Sequence, residues 1–398
     1  MRKIDYSGID KAKLESAYIS IFSSRISAMN SLWPNLRDDL RTKSSSPQAN
    51  DLYPDKISAY FTMPYPKLVD VYLDYQQIMG NNSNPKYSAL HKDLKDLFNY
   101  SGGLKNCGPM QPLIAEFFMK HSVELKVHVC YYCETAYINT YGFSSTFDSF
   151  SEFLMTASRN QIQHYVTNSD GKPCADRTID KIMRLRQNST VASIVNDFDA
   201  LGIWRNPAIP KSQQLQERKK NHFDLDHFLP KSECPLVGLS LYNFVPSCSV
   251  CNEKLKRSSR LGGLDKGKLL KLSPTSDAYD FDNTSSIAII PKDGISMLKT
   301  LSHPSDFHLE FLHPGVYQES VKTFALEDRY NYHKSEALRL CDLYQDYSPA
   351  KIRMLEIMFL FSKSEDDIMD DIFGVKFSDK QSRCFDKMKR DITKQCGR

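Results

Sequence analysis

A chain of 398 residues with 41% hydrophobic and 25% charged content has the composition of an ordinary globular protein and is long enough for two or three domains. The net charge of +4 is too mild to argue for nucleic acid in bulk, so local clustering must carry any such case. No apolar run approaches the roughly 18 residues of a membrane helix and MRKIDYSGIDKAK lacks the apolar stretch of a secretory signal, so a cytoplasmic protein with no membrane partner is expected.

The first 120 or so residues read as helical and carry no catalytic pattern. Leu14, Tyr18, Ile21, Ile26, Met29 and Trp33 recur at helical spacing over 10–33, and Pro34 marks an expected boundary. A polar loop at 43–52 is followed by helical patterns at 66–79, 86–99 and 111–120, the second stopped by Gly102-Gly103. Val127 to Cys133 alternates and reads as a short strand ending in a knuckle. Patterns at 147–166 and 176–200 predict a helical insertion, and Lys211–Lys220 an exposed return loop. Phe223–Phe228 reads as a strand, 229–241 as a loop punctuated by Pro230, Pro235 and Gly238, Asn243–Pro246 as the start of a return strand, and Cys248 onward as a helix. The stretch 261–319 is rich in Gly, Pro, Ser and Asp with one strand at Ile287–Ile290, and 320–347, 349–371 and 378–395 read as closing helices.

Among ten cysteines, two CxxC pairs stand apart: Cys130 with Cys133, and Cys248 with Cys251. Each pair grips one ion from a tight turn, and two pairs complete the tetrahedron that structural zinc prefers. Buried thiols or a redox pair are the bland alternatives, although a redox motif needs no second CxxC. The second pair closes a stretch, Phe223 to Lys256, that also holds Asp226-His227, Asn243 and Asn252.

Asp-His, a later Asn and a third Asn, framed by CxxC…CxxC, resemble an HNH endonuclease with a ββα-metal core. The wording LDHFLPKS…LSLYNFVPSCSVCN is similar to HNH nucleases of bacterial anti-phage defence operons, with looser echoes in CYYC, FALEDRYNYHKSEAL and FDKMKRDI. The resemblance implies metal-dependent hydrolysis of phosphodiester bonds in DNA, leaving a 5′-phosphate and a 3′-hydroxyl. By it, His227 is the general base, Asp226 and Asn252 ligate magnesium or manganese, and Asn243 orients the loop between the strands and so the His227 ring. It further implies a defence role with a separately encoded ATPase or sensor subunit. Asp226 and His227 would face opposite sides of a regular strand, so the strand must twist or end there. Asp224 shares the Asp226 face and is either an added carboxylate or a surface residue.

From Lys254 to Lys271 seven basic residues face one acid, Asp265. Lys254, Lys256, Arg257 and Arg260 are therefore expected on DNA phosphates, against the alternative of a solvated, glycine-containing loop. The expected fold is α+β, mostly α. A small zinc-stapled ββα-metal core at 123–270, interrupted by a helical insertion at about 140–215, lies between helical regions 1–122 and 271–398. The competing functional reading is a zinc-stapled nucleic-acid-binding or scaffold subunit that acts through a partner without cleavage.

Overall fold

The computed structural model describes residues 1–80, 85–102, 104, 108–141, 149–168, 170, 172–203, 220–292, 301–359, 362–374 and 383–396. It is mostly helical, with small antiparallel sheets, and divides into two compact units: 1–140 with 221–398, and 141–220. No helix among the described residues is long and apolar enough to cross a membrane.

The smaller unit carries helices Phe150–Thr156, Arg159–Tyr165, Asp176–Asn188 and Ile194–Asp199. Ser149 caps the first through the Glu152 amide, and Ser158 with Gln161 forms a capping box on the second. Their apolar faces make a core of their own, centred on Phe153, Ile162, Ile179, Ile182 and Phe198. The return loop expected at 211–220 lies almost wholly outside the described residues.

In the larger unit the N-terminal helices are Lys11–Ser20, Ser23–Lys43, Tyr65–Gly80, Pro85–Leu97 and Gln111–Lys120. Pro34 does not end a helix but lies inside Ser23–Lys43. A mid-helix proline costs about 3 kcal/mol and frees the carbonyl four residues back. Here that residue, Asn30, is exposed to water, while Met29, Trp33 and Leu40 bury the opposite face and outweigh the loss.

Two hairpins follow. Strand β1 (Asp224–His227) pairs antiparallel with β2 (Phe244–Ser247) in the register Asp224 to Ser247 and His227 to Phe244. A π-helix, Val250–Lys256, leaves β2 directly. Strand β3 (Ser286–Pro291) pairs with β4 (Phe307–Leu312), and the C-terminal helix Asp386–Gln395 covers the free edge of β3. The Asp391 carboxylate accepts the Ile287 amide at 2.9 Å, and the Gln395 side chain bonds both the amide and the carbonyl of Ile289. Side chains thus satisfy a strand edge that would otherwise invite another chain. The stretch expected as three long closing helices is broken into Gln318–Thr323, Leu326–Tyr332, Lys334–Asp346, Pro349–Met358, Glu365–Phe373 and Asp386–Gln395.

Candidate functional site

The first CxxC is not on a strand. Cys130 and Cys133 sit in a tight turn tied by one isolated bridge, Val129 to Tyr137. Glu134 closes the turn at φ 55°, donating its amide to the Cys130 carbonyl at 3.0 Å. A strand would point alternate residues apart, whereas this turn brings both sulfurs to one side. The second pair flanks the start of the π-helix. All four sulfurs lie within 4.8 Å of one another, close enough to hold one metal ion.

The stretch 324–330 supports this cluster. Arg329 Nη1 donates to Cys251 Sγ at 3.2 Å and Nη2 to Thr135 Oγ1 at 2.9 Å, and Thr135 donates in turn to Cys133 Sγ at 3.3 Å. Tyr330 Oη donates to the Cys133 carbonyl at 2.9 Å. Hydrogen bonding from Cys130 and the other two thiols holds the Cys133 thiol well below the usual range, and the Arg329 charge adds to the pull.

Beside the cluster opens a cleft of about 420 Å³, lined among others by Asp224, Asp226, His227, Lys231, Asn252 and Arg257. Asp226 and His227 are the last two residues of β1, paired with Val245 and Phe244, and both are buried. His227 is 9% exposed, and its ring packs against Tyr100 and Phe244 with centroids at 4.9 and 4.7 Å, those two rings also touching each other at 5.7 Å. His227 Nε2 is 2.9 Å from the Gly238 carbonyl, which can only accept. Nε2 therefore carries the hydrogen, and in the neutral ring Nδ1 keeps its lone pair, with no hydrogen-bond partner among the described residues. Burial holds the His227 pKa well below its ordinary value, Lys231 and Lys256 add to this, and the Gly238 bond opposes it.

Asn243 is fully buried and never reaches the cleft. Its Oδ1 accepts the Leu229 amide at 2.8 Å, and its Nδ2 donates to the carbonyls of Leu229 and Val237, both at 3.0 Å. One amide thus ties the start of the loop at Leu229 to Val237, next to the Gly238 carbonyl that orients His227.

Asp226 is 3% exposed and has both oxygens engaged by protein donors. Tyr132, inside the first CxxC, donates to Oδ2 at 2.5 Å, and the Lys256 ammonium lies 3.1 Å from Oδ1 and 3.0 Å from Oδ2. The expectation that Lys256 contacts DNA phosphates is corrected here: it is 1% exposed and also donates to the His227 carbonyl at 3.0 Å. Arg260 is likewise committed, its Nε 2.8 Å from Glu233 Oε2. Lys254 and Arg257 are exposed, and Arg257 ends the π-helix at φ 53°, ψ −125°, a conformation strained for any residue but glycine.

The carboxylate with unused capacity is Asp224, whose Oδ2 is buried without a partner. Burial pushes its pKa up, the hydrogen bond from Asn252 pulls it down, and Glu253 and Asp226 push it up. An orphaned buried carboxylate oxygen beside an amide is the kind of donor set that suits a hard cation.

Sequence reasoning missed Tyr132, Lys231, Gly238 and Arg329. A tyrosine inside a CxxC and a lysine four residues after the histidine carry no spacing signal of their own, because their partners come from distant segments. Comparison with protein-family models, with curated proteins and with solved structures finds no match.

Proposed function

We propose that this chain is a metal-dependent endonuclease of the HNH type, with β1, β2 and the π-helix as its ββα-metal core. The observation that carries the reading is the His227 ring. It is held by the Gly238 carbonyl at Nε2, kept neutral by burial, and left with the Nδ1 lone pair at a cleft that also holds Asp224 and Asn252. A neutral, oriented imidazole can take a proton from water attacking phosphorus. Asp224 and Asn252 would hold magnesium or manganese, with Asp226 behind them as the carboxylate whose charge Lys256 balances. Such an ion, when bound, supplies Lewis acidity at the phosphate and stabilises the leaving oxygen. The four cysteines would hold a structural zinc. By the family resemblance, DNA is the substrate, and the enzyme is the nuclease effector of a bacterial anti-phage defence system, working with a separately encoded ATPase or sensor.

The second reading is a zinc-stapled nucleic-acid-binding subunit that does not cut. The observation in its favour is the Lys256 ammonium seated on Asp226. Plasmid DNA incubated with purified protein and magnesium or manganese separates the two. We expect nicking or linearisation that EDTA stops, and a loss of about 10²–10⁴-fold in His227→Ala, which should still bind DNA. A His227→Ala rate equal to that of the parent refutes the assignment of the base, while binding without cleavage under every metal favours the second reading.

A further inference from the structure

We propose that Lys231 is a phosphate-binding residue, placing a phosphodiester oxygen anion at the mouth of the cleft beside His227. The inference rests on the nuclease reading above and adds a residue to it.

The argument starts from what an ammonium needs. A lysine withdrawn from water loses hydration, and proteins normally offset this with a carboxylate or a set of carbonyls. Lys231 is half-buried, yet no carboxylate lies within salt-bridge distance of it among the described residues. Its neighbour is the face of Tyr100, with Nζ 4.1 Å from the ring centroid. The same ring makes a T-shaped contact with His227, centroid to centroid 4.9 Å. Lys231, Tyr100 and His227 therefore form one contiguous cluster on the wall of the cleft. A cation–π contact offsets part of the lost hydration and leaves the charge formally unbalanced. Burial accordingly holds the Lys231 pKa down at about 8.

The other basic side chains near the cleft differ. Lys256 is bound to Asp226 and Arg260 to Glu233. Arg257 lines the cleft but is exposed, so its hydration is largely intact. Lys231 alone among these combines burial, the absence of an acid and contact with the ring that holds the candidate base. A phosphodiester anion complements that cation in charge, and Nζ can bond a non-bridging oxygen while His227 Nδ1 meets the attacking water.

The backbone fixes this placement. Gly238, which accepts from His227, approaches so closely that a Cβ there would meet Lys231 Cβ at 3.2 Å and the Pro235 carbonyl at 3.1 Å. The glycine thus packs Lys231 and the His227 acceptor against one another, so the lysine and the base share one support.

The test uses the full chain carrying His227→Ala, so that nothing is cut, titrated with a fluorescent duplex at several salt concentrations. Lys231→Met should weaken binding about tenfold and flatten the slope of log affinity against log salt by up to about 0.9, the loss of one phosphate contact. Lys231→Arg should keep most of the slope. With His227 restored, Lys231→Met should still lose at least tenfold in kcat/KM under saturating metal. Thermal melting should show Lys231→Met no less stable than its parent, because an uncompensated charge has been removed. Unchanged affinity and slope in Lys231→Met overturn the inference and leave the nuclease reading standing. A fall in melting temperature with binding unchanged assigns Lys231 a structural role and overturns it too. If the His227→Ala parent binds no nucleic acid at any salt concentration, it is the nuclease reading that fails.

Discussion

A carboxylate at 3% exposure and an ammonium at 1% are tolerable in an interior only because each neutralises the other, and Asp226 and Lys256 meet at 3.0 Å. The pair also fixes the chain where β1 ends, since Lys256 reaches the His227 carbonyl as well as the carboxylate. Removing Lys256 leaves the buried Asp226 charge with a single neutral partner, Tyr132. Lys256→Met should therefore cost about 3–5 kcal/mol in urea unfolding. Combining it with Asp226→Asn, which removes both charges, should recover a large part of that loss. A double variant as unstable as the sum of the two single ones would mean that the contacts contribute independently, and that the ion pair does not organise the site. This arrangement was legible in principle. Lys256 lies four residues after Asn252, and two residues so spaced on a helix share a face, so an inward Asn252 implies an inward Lys256. By charge count alone the run of basic residues resembles a surface patch, whereas helical phase turns Lys256 inward.

At the scale of elements, the four cysteines were legible because a CxxC carries its own geometry: the spacing dictates a tight turn, and the second pair dictates the partner. The strand Phe307–Leu312 was equally open to reading, since Phe307, Leu309 and Phe311 are buried while His308, Glu310 and Leu312 between them are exposed. The loop-forming composition around it hid that period-two signal. What spacing could not convey is how the cluster is held. Arg329 comes from the helix Leu326–Tyr332 and reaches both a sulfur and the threonine behind another sulfur. Four cysteinate ligands would place two net negative charges around a divalent ion, and the guanidinium offsets part of this. Metal analysis should find about one zinc per chain, and Cys130→Ser should give poorly folded protein, because binding energy in such sites is also folding energy. Arg329→Gln should fold but release zinc to a colorimetric chelator with affinity lowered about 10–100-fold. Release at the parental rate would show that Arg329 packs against the cluster without tuning it. Tyr132 extends the consequence to the cleft: it lies between the two cysteines of the first knuckle, stacks on Phe324 at 4.3 Å and donates to Asp226. Loss of the metal should thus disturb the Asp226 carboxylate directly.

At the scale of the whole molecule, the stretch 223–256 does not own the core that supports it. The loop and turns leading into β2, 234–243, are buried throughout, an unusual state for a connection, and they are covered by the N-terminal helices. Tyr18 Oη donates to the Leu239 carbonyl at 2.9 Å, the Phe61 carbonyl accepts the Leu241 amide at 2.8 Å, and Glu15 accepts from Tyr242 at 2.6 Å. Tyr72 and Gln76 reach Glu233 from the helix Tyr65–Gly80. From the other end of the chain, Arg329 and Tyr330 complete the cysteine cluster. The flanks therefore satisfy the backbone of the loop that aims His227, a task that hydropathy patterns alone assign to no particular partner. Composition and periodicity mark 1–122 and 271–398 as helical without revealing that both fold as one body with 123–140 and 221–270. Expressing 123–270 alone, with zinc in the medium, should give protein that is insoluble or lacks a cooperative thermal transition. Its buried amides and carbonyls would lose their partners, each at about 1–3 kcal/mol, and several such losses exceed the about 5–15 kcal/mol that stabilises a domain. Co-expressing 1–122 as a separate chain should recover soluble material that co-purifies with the fragment. A fragment that melts cooperatively by itself would show that the site is self-supporting and that the helical flanks serve some other purpose.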